Sequence, residues 1–417
     1  MNRSYLANEW DTELQALFPG DAAAQKRHMT LIRKFEETFG KGRSIALFSA
    51  PGRTEIGGNH TDHQHGCVLA ASVNLDTVAA VSENGMDVIR IQSDGYALCQ
   101  VKTDDLSVKS AEKNTTLALI RGVAAKFAAM GAKLKGFDAY VISDVLRGSG
   151  LSSSAAFEVL IGVILNQLCY DGKASAVEIA QIGQYAENVY FGKPSGLMDQ
   201  TASSVGNLVS IDFADPKSPI VKRVDFDFSK SGYGLCIIDS GANHANLTDE
   251  YTAIPRELKQ ISAHFGKSVL REVPEAEFYA ALPTLRKTAG DRAVLRAIHI
   301  YNDNARVPRQ IRALQDGDFD RFLQLVNESG RSSWVYLQNV TPAGSKEHQD
   351  MAIALALCER LLCGKGAFRV HGGGFAGTVQ AFVPLTMLEE FRSGIEAVLG
   401  AGSCHVLSIR PVGGTQL

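Results

Sequence analysis

Short apolar runs rich in β-branched residues recur along this chain between glycines and polar turns. The clearest runs cover residues 45–50, 68–81, 87–92, 136–142, 208–213 and 235–239. Such runs are typical of strands, because β-branched side chains suit a pleated surface that is buried on at least one face. The pattern therefore predicts a mixed β-sheet, with further strands towards the middle of the chain.

Other segments repeat their apolar positions every three or four residues, which is the spacing of a helix buried on one face. This spacing occurs within residues 11–40, from Ser152 to about Cys169, and over 176–190. Residues 250–362 are also mainly helical in pattern, and the rest of the chain returns to strand, glycine turn, strand, helix and strand. Because strands and helices interleave, we predict an α/β (α+β) fold.

The composition is that of an ordinary globular protein, with 45% hydrophobic and 21% charged residues among 417. A chain of this length is typical of two or three domains. We place boundaries near residues 40 and 215. They divide the chain into a helical extension at 1–40, an N-terminal domain at 41–215 and a C-terminal domain at 216–417.

The charge pattern argues against several classes of partner. A formal net charge of −3 and an isoelectric point near 6.4 give no reason to expect nucleic acid or an anionic membrane. The polar N-terminus lacks the basic and apolar runs of a secretory signal, and no apolar stretch is long enough to span a bilayer. The seven cysteines are scattered singly, as expected for reduced core thiols. We expect a cytoplasmic protein that is a monomer or a weak homodimer.

Glycines and hydroxyls precede the strong helical pattern in the run Gly148-Ser-Gly-Leu-Ser-Ser-Ser-Ala-Ala156. The unpaired N–H groups and the positive dipole end of a helix N-terminus favour phosphate oxygens, and serine hydroxyls can bind a phosphate-bound Mg²⁺. The run is not a Walker loop, because GxxxxGK[ST] occurs nowhere in the chain. It predicts a phosphate site or, alternatively, a simple turn with a serine N-cap.

A dense set of polar residues follows the first strand, within residues 50–66. Loops with so many donors and acceptors often bind a polar ligand. His60, His63 and His65 with Asp62 do not have the spacing of a zinc motif, so hydrogen bonding to a polyol is the better interpretation. A solvated surface loop is the alternative.

Two further clusters contain glycines or carboxylates. Residues 369–377 join two apolar runs through Gly-Gly-Gly, which permits a close backbone approach to a ligand or a tight turn. Earlier in the chain, Glu187 ends a helical pattern and Asp199 follows a Gly/Pro turn. Phosphoryl transfer needs one carboxylate to hold a metal and another to orient or deprotonate the attacking hydroxyl. In isolation, Asp199 is equally well interpreted as a helix N-cap and Glu187 as a surface charge.

Taken together and in order, these clusters resemble the signature motifs of the GHMP kinases, and the first resembles the galactokinase branch. The family pattern GRxNLIGEHTDY is matched by GRTEIGGNHTDH, PxGxGLSSSA by LRGSGLSSSA, AExxxxGxPxGxMDQ by AENVYFGKPSGLMDQ and TGxGxGG by HGGGFAG. The resemblance spans nearly the whole chain. It implies an N-terminal domain like the second domain of ribosomal protein S5, a ferredoxin-like C-terminal domain, and ATP in the cleft.

The resemblance also implies roles for individual residues. Asp199 would be the catalytic carboxylate facing the anomeric hydroxyl of a sugar, with Arg53 beside it, and Ser154 and Glu187 would hold Mg²⁺. An aspartate beside a cation should stay ionised. The implied ATP-binding residues are Gly148, Ser149, Gly150, Leu151, Ser152, Ser153, Ser154, Ala155, Gly373 and Gly374.

The implied sugar contacts are Asn59, His60, Asp62, Gly196 and Tyr251. The first motif departs from the family pattern at three positions: Asn59 replaces a glutamate, His63 a tyrosine and Glu55 an asparagine. In the family the glutamate meets the 6-hydroxyl of the sugar. Because an amide donates as well as accepts, this exchange changes which C6 substituent fits best.

We therefore predict a galactokinase that transfers phosphate from ATP, with Mg²⁺, to the anomeric C1 hydroxyl of galactose. The departures leave open a kinase for another sugar, such as galacturonate, N-acetylgalactosamine or arabinose. A non-catalytic sugar and ATP sensor is a further alternative, but Arg53, Glu187, Asp199 and the serine run are all present. A mevalonate or homoserine kinase would not explain the HTDH and MDQ strings.

Overall fold

The computed structural model describes residues 4–18, 20–146, 150–242 and 247–417 and is built around two β-sheets. The helices are α1 (Trp10–Leu17), α2 (Ala22–Phe39), α3 (Thr116–Ala129), α4 (Ser153–Cys169), α5 (Ala176–Tyr185), α6 (Met198–Val205), α7 (Thr248–His264), α8 (Glu275–Thr288), α9 (Asp291–Gln315), α10 (Phe319–Ser332), α11 (Asp350–Leu362) and α12 (Leu388–Leu399). The strands are β1 (Ala46–Gly57), β2 (Cys67–Glu83), β3 (Val88–Ser93), β4 (Cys99–Lys102), β5 (Phe137–Ser143), β6 (Leu208–Asp212), β7 (Ile220–Val224), β8 (Tyr233–Asp239), β9 (Ala367–His371), β10 (Thr378–Pro384), β11 (Cys404–Leu407) and β12 (Thr415–Gln416). No helix in the described part of the chain is long and apolar enough to cross a membrane.

The first sheet has the strand order β12-β1-β2-β5-β3-β4, and β6 and β7 extend it from the side of β2. Its neighbours are antiparallel except for β3 and β5, which run parallel, so the predicted mixed sheet is confirmed. The long strand β2 pairs with β1, β5 and β6 along different parts of its length. The sheet takes strands from both sides of the predicted boundary near residue 215, because β7 and β12 both belong to it.

Helices cover the two faces of this first sheet. One face packs on α3, α4 and α5, and the other packs on α1 and α2, which confirms the helices predicted within residues 11–40. In α4 the predicted apolar positions Val159, Leu160 and Ile164 are fully buried. Burying an aliphatic side chain of this size stabilises the fold by about 1.5–3 kcal/mol. The core of the sheet therefore holds the start of α4 in place.

The second sheet is antiparallel, with the order β11-β8-β10-β9. Strand β11, the last of this sheet in chain order, lies beside β8, the first. Helix α12 connects β10 to β11. Helices α7 to α11 form the long connection between β8 and β9. This is the ferredoxin-like arrangement that the family resemblance implied, and the α/β fold is confirmed.

Strand β1 continues beyond its predicted end to Gly57. Its pairing with β2 shifts register between Pro51 and Arg53 and again between Glu55 and Gly57. Such irregularities re-aim side chains, and they are common next to active sites. Residues 51–59 are buried, so the interpretation of residues 50–66 as a solvated loop is wrong for this first part, although His63 further along is exposed.

All seven cysteines are free thiols. Cys236, Cys358 and Cys404 are buried in the core of the second sheet, as predicted. Cys363 is exposed and lies directly after the last residue of α11. The prediction of a core thiol is wrong for this residue.

Candidate active site

Asp199 joins three segments that are distant in the sequence. Its Oδ1 accepts a hydrogen bond from Nε of Arg53 over 2.7 Å, and its Oδ2 accepts one from Oγ of Ser152 over 2.6 Å. Arg53 also donates to the carbonyl oxygen of Gly150, and its backbone N–H donates to the carbonyl oxygen of Leu151 over 3.0 Å. Strand β1, the serine turn before α4 and helix α6 therefore form one hydrogen-bonded unit.

The carboxylate of Asp199 is held in its ionised form. Burial alone would raise the pKa of Asp199, but the charge of Arg53 and the hydrogen bonds from Arg53 and Ser152 outweigh burial, so the pKa lies below its ordinary value. The Asp199 side chain is 31% exposed and that of Arg53 only 9%. The carboxylate is thus open to a ligand on one side and supported by the guanidinium on the other.

The serine turn does not use its hydroxyl to cap α4. Ser152 stands before the first residue of α4 with a φ of 58°, and its side chain makes no capping bond. The hydroxyl bonds to Asp199 instead, so the serine N-cap interpretation is wrong. Without a side-chain cap, the first N–H groups of α4 remain available to an anion. Asp199 is no N-cap either, since α6 begins at Met198 after Leu197.

A chain of buried polar groups lies beside this unit. Glu187, in the π-helical turn Ala186–Phe191, is only 5% exposed, so its interpretation as a surface charge is wrong. Its Oε1 pairs with Nζ of Lys193 at 2.9 Å, and its Oε2 accepts from Nε2 of Gln200 at 2.9 Å. The same Gln200 nitrogen donates to Oε2 of Glu158 at 2.9 Å. Burial, reinforced by the charge of Glu187, raises the pKa of Glu158 well above its ordinary value.

Sequence reasoning did not single out Lys193, Gln200 or Glu158. Lys193 and Gln200 both lie inside the segment that contains the two predicted carboxylates. Glu158 could have been noticed as a charged residue on the buried face of an otherwise apolar helix. Such a position signals either a paired or a protonated carboxyl group.

The predicted sugar contacts lie next to the late glycines. Nε2 of His60 is 3.0 Å from the carbonyl oxygen of Gly373, and the hydroxyl of Tyr251 donates to the carbonyl oxygen of Gly374 over 2.9 Å. Burial lowers the pKa of His60 to about 4, so its ring is neutral near pH 7. The structure places Gly373 and Gly374, which we predicted to bind ATP, beside two predicted sugar contacts.

Gly196 and Asp62 also approach each other. A Cβ atom on Gly196 would lie 2.7 Å from Oδ2 of Asp62, so a side chain there would displace the carboxylate. The other oxygen of Asp62 accepts from the backbone N–H of His63 at 2.8 Å. Because Gly196 stands three residues before Asp199, one short segment links a predicted sugar contact to the predicted catalytic carboxylate.

Asn59 is fully buried, and protein groups use its whole amide. Its Nδ2 donates to Oε1 of Glu55 over 3.1 Å and to the carbonyl oxygen of Gly372 over 2.7 Å. Its Oδ1 accepts from Nδ2 of Asn339 at 2.9 Å and from Oγ of Ser333 at 3.3 Å. The structure therefore places this predicted sugar contact in the interior, with no surface for a ligand.

Glu55 is held by an arginine from the second sheet. Nη2 of Arg369 donates to Oε1 of Glu55 over 2.6 Å, and Nη1 donates to the carbonyl oxygen of Ile56 over 2.7 Å. Both side chains are buried, so each charge compensates the other.

Among the remaining predicted site residues, Ser153 and Ser154 are half-buried and Ala155 is buried in the first turn of α4. Gly148 and Ser149 lie outside the described residues.

Comparison with known proteins agrees with the fold and the motifs. The family model described as the galactokinase galactose-binding signature matches residues 33–83, and that of the GHMP kinases N-terminal domain matches residues 118–207. The solved galactokinase of Lactococcus lactis complexed with galactose is 24% identical, with a TM-score of 0.79 over 94% of this chain and 100% of that one. A crystal structure of mevalonate kinase is 11% identical, with a TM-score of 0.61 over 87% and 99%. These two structures show the shared fold.

Two curated relatives show the family itself. The galactokinase of Streptomyces coelicolor is 30% identical over 372 residues, which cover 89% of this chain and 93% of the relative. The galactokinase of Actinobacillus pleuropneumoniae serotype 3 is 32% identical over 372 residues, which cover 88% and 92%. Since these matches extend over most of both chains, this protein belongs to the galactokinase family.

Proposed function

We propose that this protein transfers the γ-phosphate of ATP to the C1 hydroxyl of galactose and forms galactose 1-phosphate. The observation that carries the proposal is the carboxylate of Asp199, which bonds at once to Arg53 and to Ser152 at the start of α4. Gly196, in the same segment as Asp199, lies against Asp62 of the predicted sugar site. Asp199 thus stands between a candidate phosphate site and a candidate sugar site, and the similarity to galactokinases supports both assignments.

The ionised carboxylate of Asp199 defines its part in the reaction. The C1 oxygen forms a bond to the γ-phosphorus while the bond from that phosphorus to the β–γ bridging oxygen breaks, and ADP leaves. The hydroxyl proton passes to Asp199 and then to solvent. A carboxylate with a lowered pKa is a weak base, so we assign it mainly to orienting the hydroxyl, with proton transfer late in the reaction.

Ser154 and Glu187 would hold Mg²⁺. Hydroxyl and carboxylate oxygens are the donors that this ion prefers, and it commonly binds through one or two protein groups together with phosphates. One buried polar atom near Glu187 is also unused, because Oε1 of Glu158 has no hydrogen-bond partner among the described residues, and it would be available to a water bound to the ion. When bound, the ion would offset the negative charge of the β- and γ-phosphates.

The burial of Asn59 favours a second candidate, a kinase for a related sugar that differs at C6. Because its amide is saturated by protein groups, Asn59 offers no partner to a C6 substituent. L-Arabinose is the most informative alternative, since it has the ring configuration of galactose but lacks C6. Galacturonate and N-acetylgalactosamine test a carboxylate at C6 and an added group at C2.

ADP release from ATP and Mg²⁺ with each of these four sugars tests the proposal. We expect turnover with galactose, and a loss of about 10²–10⁴-fold in the Asp199→Asn variant. Asp291→Asn is the matched control, because Asp291 pairs with Arg286 on the exposed surface, where both side chains are 64% exposed. Turnover of another sugar alone would replace galactose with that sugar. No turnover with any sugar would contradict the kinase assignment.

A further inference from the structure

Lys193 contacts Glu187 through both its backbone and its side chain. The backbone N–H of Lys193 donates to the carbonyl oxygen of Glu187 over 3.1 Å, and that of Gly192 donates to the same oxygen over 2.9 Å. Gly192 has a φ of 89°, which lets the chain turn back at this point. The Lys193 side chain is 59% exposed, whereas that of Glu187 is 5% exposed. The backbone of Lys193 is therefore anchored, while its ammonium sits on a flexible and accessible stem.

The charges around this pair are balanced only while Lys193 stays beside Glu187. The carboxylates of Glu187 and Asp199 stand against the cations Lys193 and Arg53, whereas the raised pKa of Glu158 favours its neutral form. Arg53 pairs with Asp199, and Lys193 is the cation that pairs with Glu187 in the described part of the chain. Any other cation that binds Glu187 must compete with this ammonium.

The pair is also connected to the candidate phosphate site. Gln200 bonds Glu187 to Glu158 of α4, and its neighbour Asp199 bonds to Ser152 directly before α4. The charge of Lys193 helps to lower the pKa of Asp199, so the ammonium lies within electrostatic reach of this helix start. The family pattern leaves residue 193 unspecified, so the lysine is a feature of this chain.

We propose that Lys193 shares its ammonium between Glu187 and the phosphates of the nucleotide. It neutralises Glu187 when no metal ion is bound there, and it moves to a phosphate oxygen when one is. The proposal rests on the proposed kinase function. Its physical basis is that a divalent ion and an ammonium on one carboxylate repel each other, and that phosphate is a strong acceptor for the displaced lysine.

Binding measurements separate this role from a structural one. Isothermal titration with Mn²⁺ alone, ADP alone and both together gives the factor by which ADP tightens Mn²⁺ binding. Lys193→Met removes the charge and keeps most of the stem. We expect it to bind Mn²⁺ alone about tenfold more tightly and to lower the ADP–Mn²⁺ coupling factor about tenfold, as for the loss of one charge-assisted hydrogen bond.

Lys113→Met is the matched control. The Lys113 side chain lies 3.5 Å from where a Cβ on Gly192 would stand, and it forms no ion pair among the described residues. Lys113→Met should bind Mn²⁺ and ADP like the parent protein. Lys193→Arg should do so too, because it keeps the positive charge. Lys193→Gln provides a second neutral variant should the methionine variant fold poorly.

The proposal is overturned if the neutral variants match Lys113→Met in Mn²⁺ affinity and coupling factor and differ only in melting temperature, because Lys193 would then be structural. If the parent protein binds neither ADP nor ADP with Mn²⁺, the proposed function itself fails. The two failures are therefore distinguishable.

Discussion

Asn59 and Glu55 face each other in the interior, with Nδ2 of the amide 3.1 Å from Oε1 of the carboxylate. The galactokinase motif has asparagine at the position of Glu55 and glutamate at the position of Asn59. In this protein the amide and the carboxylate have exchanged places. The carboxylate now pairs with Arg369 at 2.6 Å. The pair keeps its net charge, while the negative group is carried by strand β1.

This exchange predicts that substitutions at the two positions are coupled. Glu55→Asn should destabilise the protein by about 3–5 kcal/mol, because Arg369 would be buried without its carboxylate. Asn59→Glu should also destabilise it, by bringing two carboxylates together. In the double variant one carboxylate remains near Arg369, so its loss should be smaller than the sum by about 1–3 kcal/mol. Urea unfolding of all three variants measures the coupling, and additive losses would contradict it.

Arg53 should control the acid limb of the pH–rate profile. The pKa of Asp199 is lowered, so the stability that its ionised form contributes is fully present above the ordinary value of 3.8 and is lost as the pH falls through the lower native pKa. In Arg53→Met the hydrogen bond from Ser152 and the charge of Lys193 still oppose burial, but the largest lowering influence is gone. The pKa of Asp199 should therefore rise, and the acid limb should move up by about 1–3 pH units. A kcat profile from about pH 4 to 8 tests this. An acid limb that stays at the same pH in Arg53→Met would contradict the role of Arg53 in lowering the pKa of Asp199. Arg286→Met, on the surface, is the control.

Gly196 should be required for the position of Asp62. In Gly196→Ala the new methyl group would displace the Asp62 carboxylate, because the two would stand 2.7 Å apart. We expect KM for the sugar to rise about tenfold, with KM for ATP and the melting temperature nearly unchanged. In an Asp62→Ala background the same change should have little further effect. An equally large effect in that background would show that Gly196 acts in another way.

The glycine turn after β9 offers a matched pair of substitutions. Gly372 and Gly374 have φ values of 71° and 83°, so alanine is strained at both, by about 1–2 kcal/mol. A Cβ on Gly372 meets nothing within 4 Å, whereas one on Gly374 would lie 2.1 Å from the carbonyl oxygen of Asn339. Gly374→Ala should therefore lose about 1–3 kcal/mol more unfolding free energy than Gly372→Ala. Equal losses in urea unfolding would argue against this close packing.

The regular elements followed largely from local patterns. The predicted strands and the helix after the serine run are present, because the spacing of apolar residues reflects which face is buried. Helix α3 was missed because apolar residues occur on most of its surface, which removes the contrast between faces. Strand β4 was missed because it is only four residues long. The confusion of β1 with a loop arose from its polar residues, which are buried by pairing with β2.

The sequence by itself determined the family, most of the regular elements and the motifs around Asp199, because these depend on local spacing and on runs of contiguous residues. Only the tertiary structure decided which partners the polar side chains have. His371 meets Thr54 at 3.1 Å although 317 positions separate them, and Asn59 bonds to Asn339 across 280 positions. A buried polar group must find its hydrogen bonds wherever the chain topology brings a partner. Local sequence does not encode that topology, so the burial of Asn59 and the pairing of Lys193 with Glu187 emerged only from the folded chain.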